Sequence, residues 1–419
     1  MARLYNTFEF VGNIHIPKSR DKFYNVNTSD SGWEGHRLNF AVQESKTNSA
    51  FLEMYGGFSK SKANKVFSFS KGTENQNGSK LEIPWDDRLQ PETVDMVADF
   101  KKIVIDFTSD VELKEAIGKL GYEIRSLEYK DELTSEELSK LKSLKQEFSD
   151  KAKDRHEFIH EYDAVVFLSN ELEKHKDSKF RITGRIEYQE YKGKFVRKFK
   201  PEVIEIVSNE TPSKLRAVYD VFFTKDALDE KDFKEEKKIY VDGYVIAYDG
   251  KAKKDQFFPQ QFIINAAKLD MENEMHVKML EFYKNQFNVK GKGVHHLQWE
   301  VSIFRGADQV EFTYNDLTQK QKEAIEFGWN KLEDFAPKGG MLGETTEESR
   351  LLKPILVKAN DDNDFREGAV ESSYTEEDLI YVPAENNKQQ DNKDDKTTDL
   401  PWEPQTESKP KVELDDLFS

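Results

Sequence analysis

The chain has 419 residues and no cysteine; 34% are charged and 37% hydrophobic, and 63 basic against 80 acidic residues give a formal net charge of −17. At roughly 150 residues per domain this length accommodates two or three globular units, and 30 Phe with 16 Tyr exclude a wholly disordered chain. The missing cysteine excludes disulfides, thiolate catalysis and Cys-ligated zinc or iron–sulfur sites. No apolar run approaches the ~20 residues that cross a bilayer, and Met1-Ala2-Arg3-Leu4-Tyr5-Asn6 has no signal-peptide core. A soluble cytoplasmic protein without a membrane partner is the expectation.

In chain order, residues 1–110 read as β structure. Thr7–Ile16 alternates apolar and polar residues, with Gly12 in mid-run marking a bend; Arg37–Val42, Ala50–Tyr55, Val66–Ser70 and Lys102–Phe107 follow as strands. Short strands bent by glycine and joined by polar loops suit a small closed barrel. Over 111–178 the period becomes helical, and Thr134-Ser135-Glu136-Glu137 is a capping box ahead of a stripe of Leu138, Leu141, Leu144 and Phe148, which predicts a helical insertion or linker. Residues 179–268 return to strands: a hairpin over Lys179–Lys200 turning at Tyr191-Lys192-Gly193-Lys194, then Glu202–Val207, Val218–Phe223, Lys238–Tyr248 and Phe257–Asn265. They form a second unit of barrel size. A mixed α/β block over 269–340 holds a helix at Met271–Phe287, a strand at Leu297–Phe304 and a helix at Thr318–Phe335. From 341 to 419 composition predicts a disordered acidic tail; from Asp361 to Ser419 there are 18 acidic and 6 basic residues, a net of −12 that leaves −5 for the first 360. The fold class is thus mainly β with helical insertions (α+β), with tandem five-stranded barrels and a disordered tail.

The densest local signal is the Lys179–Lys200 hairpin, with 8 basic and 2 acidic residues and five aromatics. A nucleic-acid strand is held without sequence preference by cations on its phosphates and by rings on which bases stack, at about 1–3 kcal/mol per base. Arg181, Arg185, Lys192, Lys194, Arg197 and Lys198 are candidates for the phosphates; Tyr188, Tyr191, Phe195 and Phe199 are candidates for stacking. In the first β region the candidates are Trp33, Phe51 and Tyr55, with Arg37 and Lys60 nearby. Alternation sets Ile182, Ile186 and Tyr188 on one face and Arg181, Thr183 and Arg185 on the other, so some of these aromatics belong to the core.

Within the tail, Asp399-Leu400-Pro401-Trp402 and the terminal Asp415-Asp416-Leu417-Phe418-Ser419 place rings beside carboxylates in a segment with nothing to bury them against. Such rings suit a docking pocket on a partner with a basic surface. Tandem barrels, an aromatic and basic hairpin and an acidic aromatic-tipped tail together resemble single-stranded DNA-binding proteins built on OB folds, those encoded by bacteriophages in particular. Bacterial members end in an acidic tip that finishes with Pro-Phe. Here Asp399-Leu400-Pro401-Trp402 matches the acidic, apolar, Pro, aromatic order internally, whereas Asp415-Asp416-Leu417-Phe418 lacks the proline and is followed by Ser419. The resemblance implies a non-enzymatic, sequence-tolerant binder of single-stranded DNA in phage replication and recombination, working without a cofactor in the host bacterial cytoplasm. Its tail would recruit replication or recombination proteins through Asp399, Pro401, Trp402, Asp415, Asp416, Leu417 and Phe418, and would compete with DNA for the groove.

Two other readings bear on the same residues. An interaction scaffold or DNA-mimic inhibitor of host enzymes would also use an acidic tail. His156-Glu157-Phe158-Ile159-His160 has the HExxH spacing that, on a helix, sets two imidazoles on one face for zinc with Glu157 as general base. Its flanks Lys153, Asp154, Arg155 and Glu161 point instead to chance spacing on a charged surface helix, so no catalytic and no metal-binding residue is assigned. His295-His296 precedes a strand, where adjacent side chains face opposite ways. The chain contains no phosphate loop and no nucleophile elbow.

Overall fold

The computed structural model describes residues 6–310, 313–335, 341–355, 358–359, 364–365 and 368–383. It is mostly strand with several helices, and the alternation in the sequence turns into alternating burial. Along Thr7–His15 the side chains of Phe8, Phe10 and Ile14 enter the core. This strand pairs antiparallel with Trp33–Ser45 on one edge and with Lys179–Tyr191 on the other. Trp33–Ser45 in turn pairs with Asn48–Ser59, and Lys179–Tyr191 with Lys194–Val207. Those directions make Asn48–Ser59 and Lys194–Val207 parallel; the two lie side by side and are bridged from Lys198 to Glu53. The helix Glu161–Glu171 stands between the third and fourth of these strands in chain order and buries Ala164, Val165 and Leu168 against them.

The same connectivity recurs further along. Lys214–Phe223 pairs with Lys238–Asp249, which pairs with Lys254–Asn265; the third strand runs parallel to the fifth, Met341–Pro354, at Ile263↔Arg350. The fifth pairs with the fourth, His295–Val310, which closes the ring onto Lys214–Phe223. A helix, Glu274–Phe287, again falls between strands three and four. The second unit is therefore a closed five-stranded ring in the spatial order 1-2-3-5-4; the first follows the same order, with its third and fifth strands in contact but, among the described residues, without a backbone pairing between them. The two first strands pair with each other from Thr7↔Val218 to Val11↔Lys214, so one apolar cluster runs from Phe10 and Phe40 to Tyr219 and Trp299.

The units do not divide where composition divides the chain. The Lys179–Lys200 hairpin, assigned by the sequence to a second barrel over 179–268, belongs to the ring begun by Thr7–His15. Lys102–Phe107, expected in the first barrel over 1–110, forms the strand Ile103–Asp106 outside that ring, parallel to Lys194–Val207, with Arg155–Phe158 at its far edge. The block expected over 269–340 supplies the helix and fourth strand of the second ring. Met341–Pro354, counted with the tail, is that ring's fifth strand. The reason is non-locality: residues 60–158 are inserted between the third strand and the helix of the first ring. They carry the hairpin Lys65–Phe69 with Lys80–Pro84, and the helices Val111–Glu128 and Ser135–Lys151. The expected capping box is there: Thr134 Oγ1 accepts from the Glu137 amide (3.2 Å), and the Glu137 carboxylate accepts from the Thr134 amide (2.9 Å).

At Gly56 the start of the helix Glu161–Glu171 lies directly against the strand Asn48–Ser59. A Cβ placed there would lie 2.2 Å from the backbone nitrogen of Tyr162. Gly56→Ala forces the helix start off Asn48–Ser59 and is expected to cost about 1–3 kcal/mol, as overpacking does. Urea denaturation checks this; an unchanged midpoint would mean that the helix yields without loss.

Candidate nucleic-acid interface

In the first ring, the second and third strands form a twisted ribbon with one face inside and one in solvent. Leu38, Phe40, Val42, Leu52 and Met54 point inward, while Trp33, Arg37, Asn39, Phe51, Glu53 and Tyr55 point outward. The register pairs Arg37 with Tyr55, Asn39 with Glu53 and Ala41 with Phe51. Trp33 is 40% and Tyr55 46% exposed, and the two are fixed to each other because the indole Nε1 donates to the Tyr55 Oη (2.9 Å). The Arg37 guanidinium sits 5.8 Å from the Tyr55 ring and 3.4 Å from the Glu53 carboxylate. Glu53 also receives Lys198 Nζ (3.0 Å) from the neighbouring hairpin. At the far end the Arg305 guanidinium of the second unit lies 4.0 Å over the Phe51 ring. The face is thus a row of rings, Trp33, Tyr55 and Phe51, interleaved with the cations Arg37, Lys198 and Arg305. Phe51 and Tyr55, four residues apart on one strand, are ~13 Å apart along it.

Trp33, Arg37, Phe51, Tyr55 and Lys198 are therefore brought together from two distant stretches of sequence. The other hairpin candidates are distributed differently. Tyr188 is buried, stacks on Phe258 at 5.6 Å and donates through Oη to Gln260 (2.9 Å); burial pushes its phenol well above the usual range. It is a core residue, as is Phe199, which packs edge-on against Phe8 and Phe10. Arg197 shares that inward face. Its guanidinium donates to Ser349 Oγ (2.7 Å) and Glu347 Oε1 (2.7 Å) of the second unit's last strand, so it ties the two units together instead of meeting a phosphate. Arg181 points into the cleft beneath the helical insertion, where Glu205 accepts from its Nε (2.6 Å), and Arg185 pairs with Glu202. Both stand two strands away from Asn48–Ser59. Counting charge along the hairpin misplaced them because the neutralising carboxylates come from the facing strand.

At the hairpin tip Lys192 and Gly193 take positive φ (50° and 79°), the turn chemistry expected there. Lys192 Nζ is 5.2 Å from the Tyr191 ring, and Lys194 is exposed. Phe195 packs on Phe258 (5.7 Å) and on Tyr381 (4.9 Å). Asp399, Pro401, Trp402, Asp415, Asp416, Leu417 and Phe418 lie outside the described residues. Arg305 is the contributor that the sequence did not mark: nothing near it in the chain connects it with Phe51, and the pairing of Gly306 with Asn48, together with the Asn48 side chain, carries it there.

His156-Glu157-Phe158 is a strand, and His160 caps the following helix, so the helical geometry that an HExxH pair needs is not formed. The His156 ring lies on Phe167 (4.4 Å). Lys102 and Arg155 pair with Glu157 and hold its carboxyl below the usual range despite burial. Among the described residues no three His, Asp or Glu side chains gather as metal ligands. His160 Nδ1 accepts from the Tyr162 amide (3.2 Å), and its ring meets Trp85 edge-on at 5.0 Å. Burial holds this imidazole below its ordinary pKa. The unfolded chain therefore takes up a proton, near ~6.5, that the folded chain resists, so the contribution is present above that pH and is lost as pH falls. His160→Asn, which keeps a capping acceptor, is expected to flatten the fall in the urea midpoint between about pH 7 and 5. An unchanged slope would place the titrating group elsewhere.

No helix among the described residues is long and apolar enough to cross a membrane. Neither the protein-family models nor the curated proteins contain a match to the sequence. Among solved structures, a deletion mutant of the single-stranded DNA binding protein from Thermus aquaticus is similar over 72% of this chain and 89% of its own, at 9% identity and a TM-score of 0.25.

Proposed function

We propose that the chain is a non-enzymatic, sequence-tolerant single-stranded DNA-binding protein built on two OB-type barrels. The ring order 1-2-3-5-4, with strands three and five parallel and a helix between three and four, supports this reading. It fits the five-stranded Greek-key barrel whose strand 2–3 face takes oligonucleotides. The observation that carries the proposal is the outer face of Trp33–Ser45 and Asn48–Ser59, where exposed Trp33 and Tyr55 alternate with Arg37 and Lys198. Rings on that face stack on bases of any identity, and the cations beside them follow the phosphates. Binding of this kind is the whole function, and no bond need be made or broken.

On the same reading the acidic residues beyond 384 compete with DNA, while Asp399–Trp402 and Asp415–Phe418 recruit replication or recombination proteins of a phage-infected cell. A scaffold or DNA-mimic inhibitor is distinguished by showing no salt-sensitive affinity for oligonucleotides.

Fluorescence anisotropy with labelled oligo-dT and a duplex of equal length, titrated in salt, tests the proposal. Tight single-strand binding that weakens with salt, with little duplex affinity, is expected; no binding to either at low salt would overturn it. Trp33→Ala and Tyr55→Ala are each expected to weaken single-strand binding by the loss of one stacked base, about 1–3 kcal/mol, without changing the urea midpoint. Deleting residues 396–419 is expected to leave affinity equal or tighter, and weaker binding would overturn the competition by the tail.

A further inference from the structure

Between Glu53 and Glu74 the chain runs for twenty residues without a carboxylate and carries Lys60, Lys62, Lys65 and Lys71, in a protein of net charge −17. This stretch leaves the face at its Trp33 and Tyr55 end. Trp33 is in register with Ser59, and the Lys60 amide donates to the Gly32 carbonyl (2.7 Å). The Asn64 side chain then closes the turn by accepting from the Ser59 amide (2.8 Å) and donating to the Ser59 carbonyl (2.7 Å). The hairpin of Lys65–Phe69 with Lys80–Pro84 follows at once. Its inner face is apolar and occupied: Val66 and Ile83 pack with Val97 and Ile159.

Its outer face has no such partner among the described residues. Phe67 is 77% exposed, and Phe100, on the adjoining short helix, is 68% exposed. Phe69 lies 6.4 Å from Phe100, and Lys101 Nζ is 5.3 Å from the first ring and 5.6 Å from the second. Position 67 alternates with the buried Val66 and Ser68, so a polar residue there would leave the core intact. Phenylalanine has no polar handle that would account for its standing in water. The carboxylates near the patch are engaged: Glu82, opposite Phe67, pairs with Lys65, and Asp95 pairs with Lys71 and Lys145. Rings held beside ammonium groups, contiguous in the chain with another row of rings and cations, fit nucleic acid better than a protein surface that would call for a continuous apolar patch.

We propose that this hairpin is a second stacking platform. A single strand leaving Trp33 and Tyr55 continues over Phe67, Phe69 and Phe100, with Lys62, Lys80 and Lys101 on its phosphates. The inference rests on the single-strand reading of the first face and extends the length of strand that one molecule covers.

The test uses the full chain and a series of oligo-dT lengths, comparing F67A/F100A with W33A/Y55A. For F67A/F100A we expect the longest oligonucleotides to bind about tenfold more weakly and the covered length to shorten, while the shortest oligonucleotide held by the first face binds as before. Cross-linking of the unaltered chain to iodouracil-substituted strands is expected to label Phe67, Phe69 or Phe100, and it decides the question should the double variant prove unstable. If W33A/Y55A weakens binding while F67A/F100A binds every length normally, or if cross-links stay on the first face, this inference alone falls and the patch is left to a protein partner. If the unaltered chain binds no single strand, both this inference and the reading beneath it fall.

Discussion

Five residues of backbone ladder, Thr7–Val11 against Lys214–Val218, decide where everything else lies. Thr7–His15 is paired on both edges, which is why its Phe8 and Phe10 are core. On one edge its partner changes within a few residues, from Lys214–Phe223 to Trp33–Ser45. Gly12 stands at the exchange, where a Cβ would meet the Gln43 carbonyl oxygen at 2.0 Å. Two units joined by a tether would meet in many orientations, whereas two units sharing a ladder have one. Asn48 adds to the constraint, because its side chain accepts from the Arg305 amide (2.9 Å) and donates to the Ile303 carbonyl (3.3 Å). The consequence is a composite face, with Phe51 from one unit lying under Arg305 from the other.

The charge of the chain bears on how that face works. A net −5 over the first 360 residues gives no general attraction for a polyanion, so local arrangement has to supply it. Glu53 does this indirectly. By accepting from Lys198 and drawing in Arg37, it holds two long flexible cations over the ribbon; on the proposed reading this ordering would lower the entropy lost when a phosphate binds. The same carboxylate would then compete with that phosphate. Affinity on such a face comes more from the rings than from the field. Stacking is also indifferent to base identity, which suits a binder without sequence preference.

Local chemistry was legible in the sequence, and partnership was not. The capping box at Thr134 and the turn at Lys192-Gly193 are each decided by a few adjacent residues, and each is where the residues place it. So is the parity of the hairpin, since alternation alone separates Ile182, Ile186 and Tyr188 from Arg181 and Arg185. What failed depends on strands far apart in the chain. Residues 60–158 separate a ring from its own hairpin, and Met341–Pro354 reads as tail because Glu347, Glu348, Arg350 and Lys353 hide a strand whose buried side chains, among those described, are Leu351, Ser349 and an ion-paired Glu348. Arg181 and Arg197 read as free cations for the same reason: Glu205 and Glu347 reach them only once the sheet is assembled.

The second unit shows how far topology alone can carry a functional argument. Its second and third strands bear outward aromatic and apolar side chains too, at Tyr244, Ile246 and Phe257, yet these belong to a small buried cluster. Tyr374 lies edge-on to Phe222 (5.7 Å) and Phe257 (5.0 Å), Leu379 is buried among them, and Tyr381 donates to Asp249 (2.7 Å). The segment 368–383 therefore occupies on the second unit the place that, among the described residues, is open on the first. An aromatic at the strand 2–3 face is not by itself a binding residue. Trp33 and Tyr55 stand apart because no segment among the described residues closes over them and because each is braced by a hydrogen bond to the other. That brace keeps two large rings ordered at a surface where the hydrophobic effect alone would fold them inward.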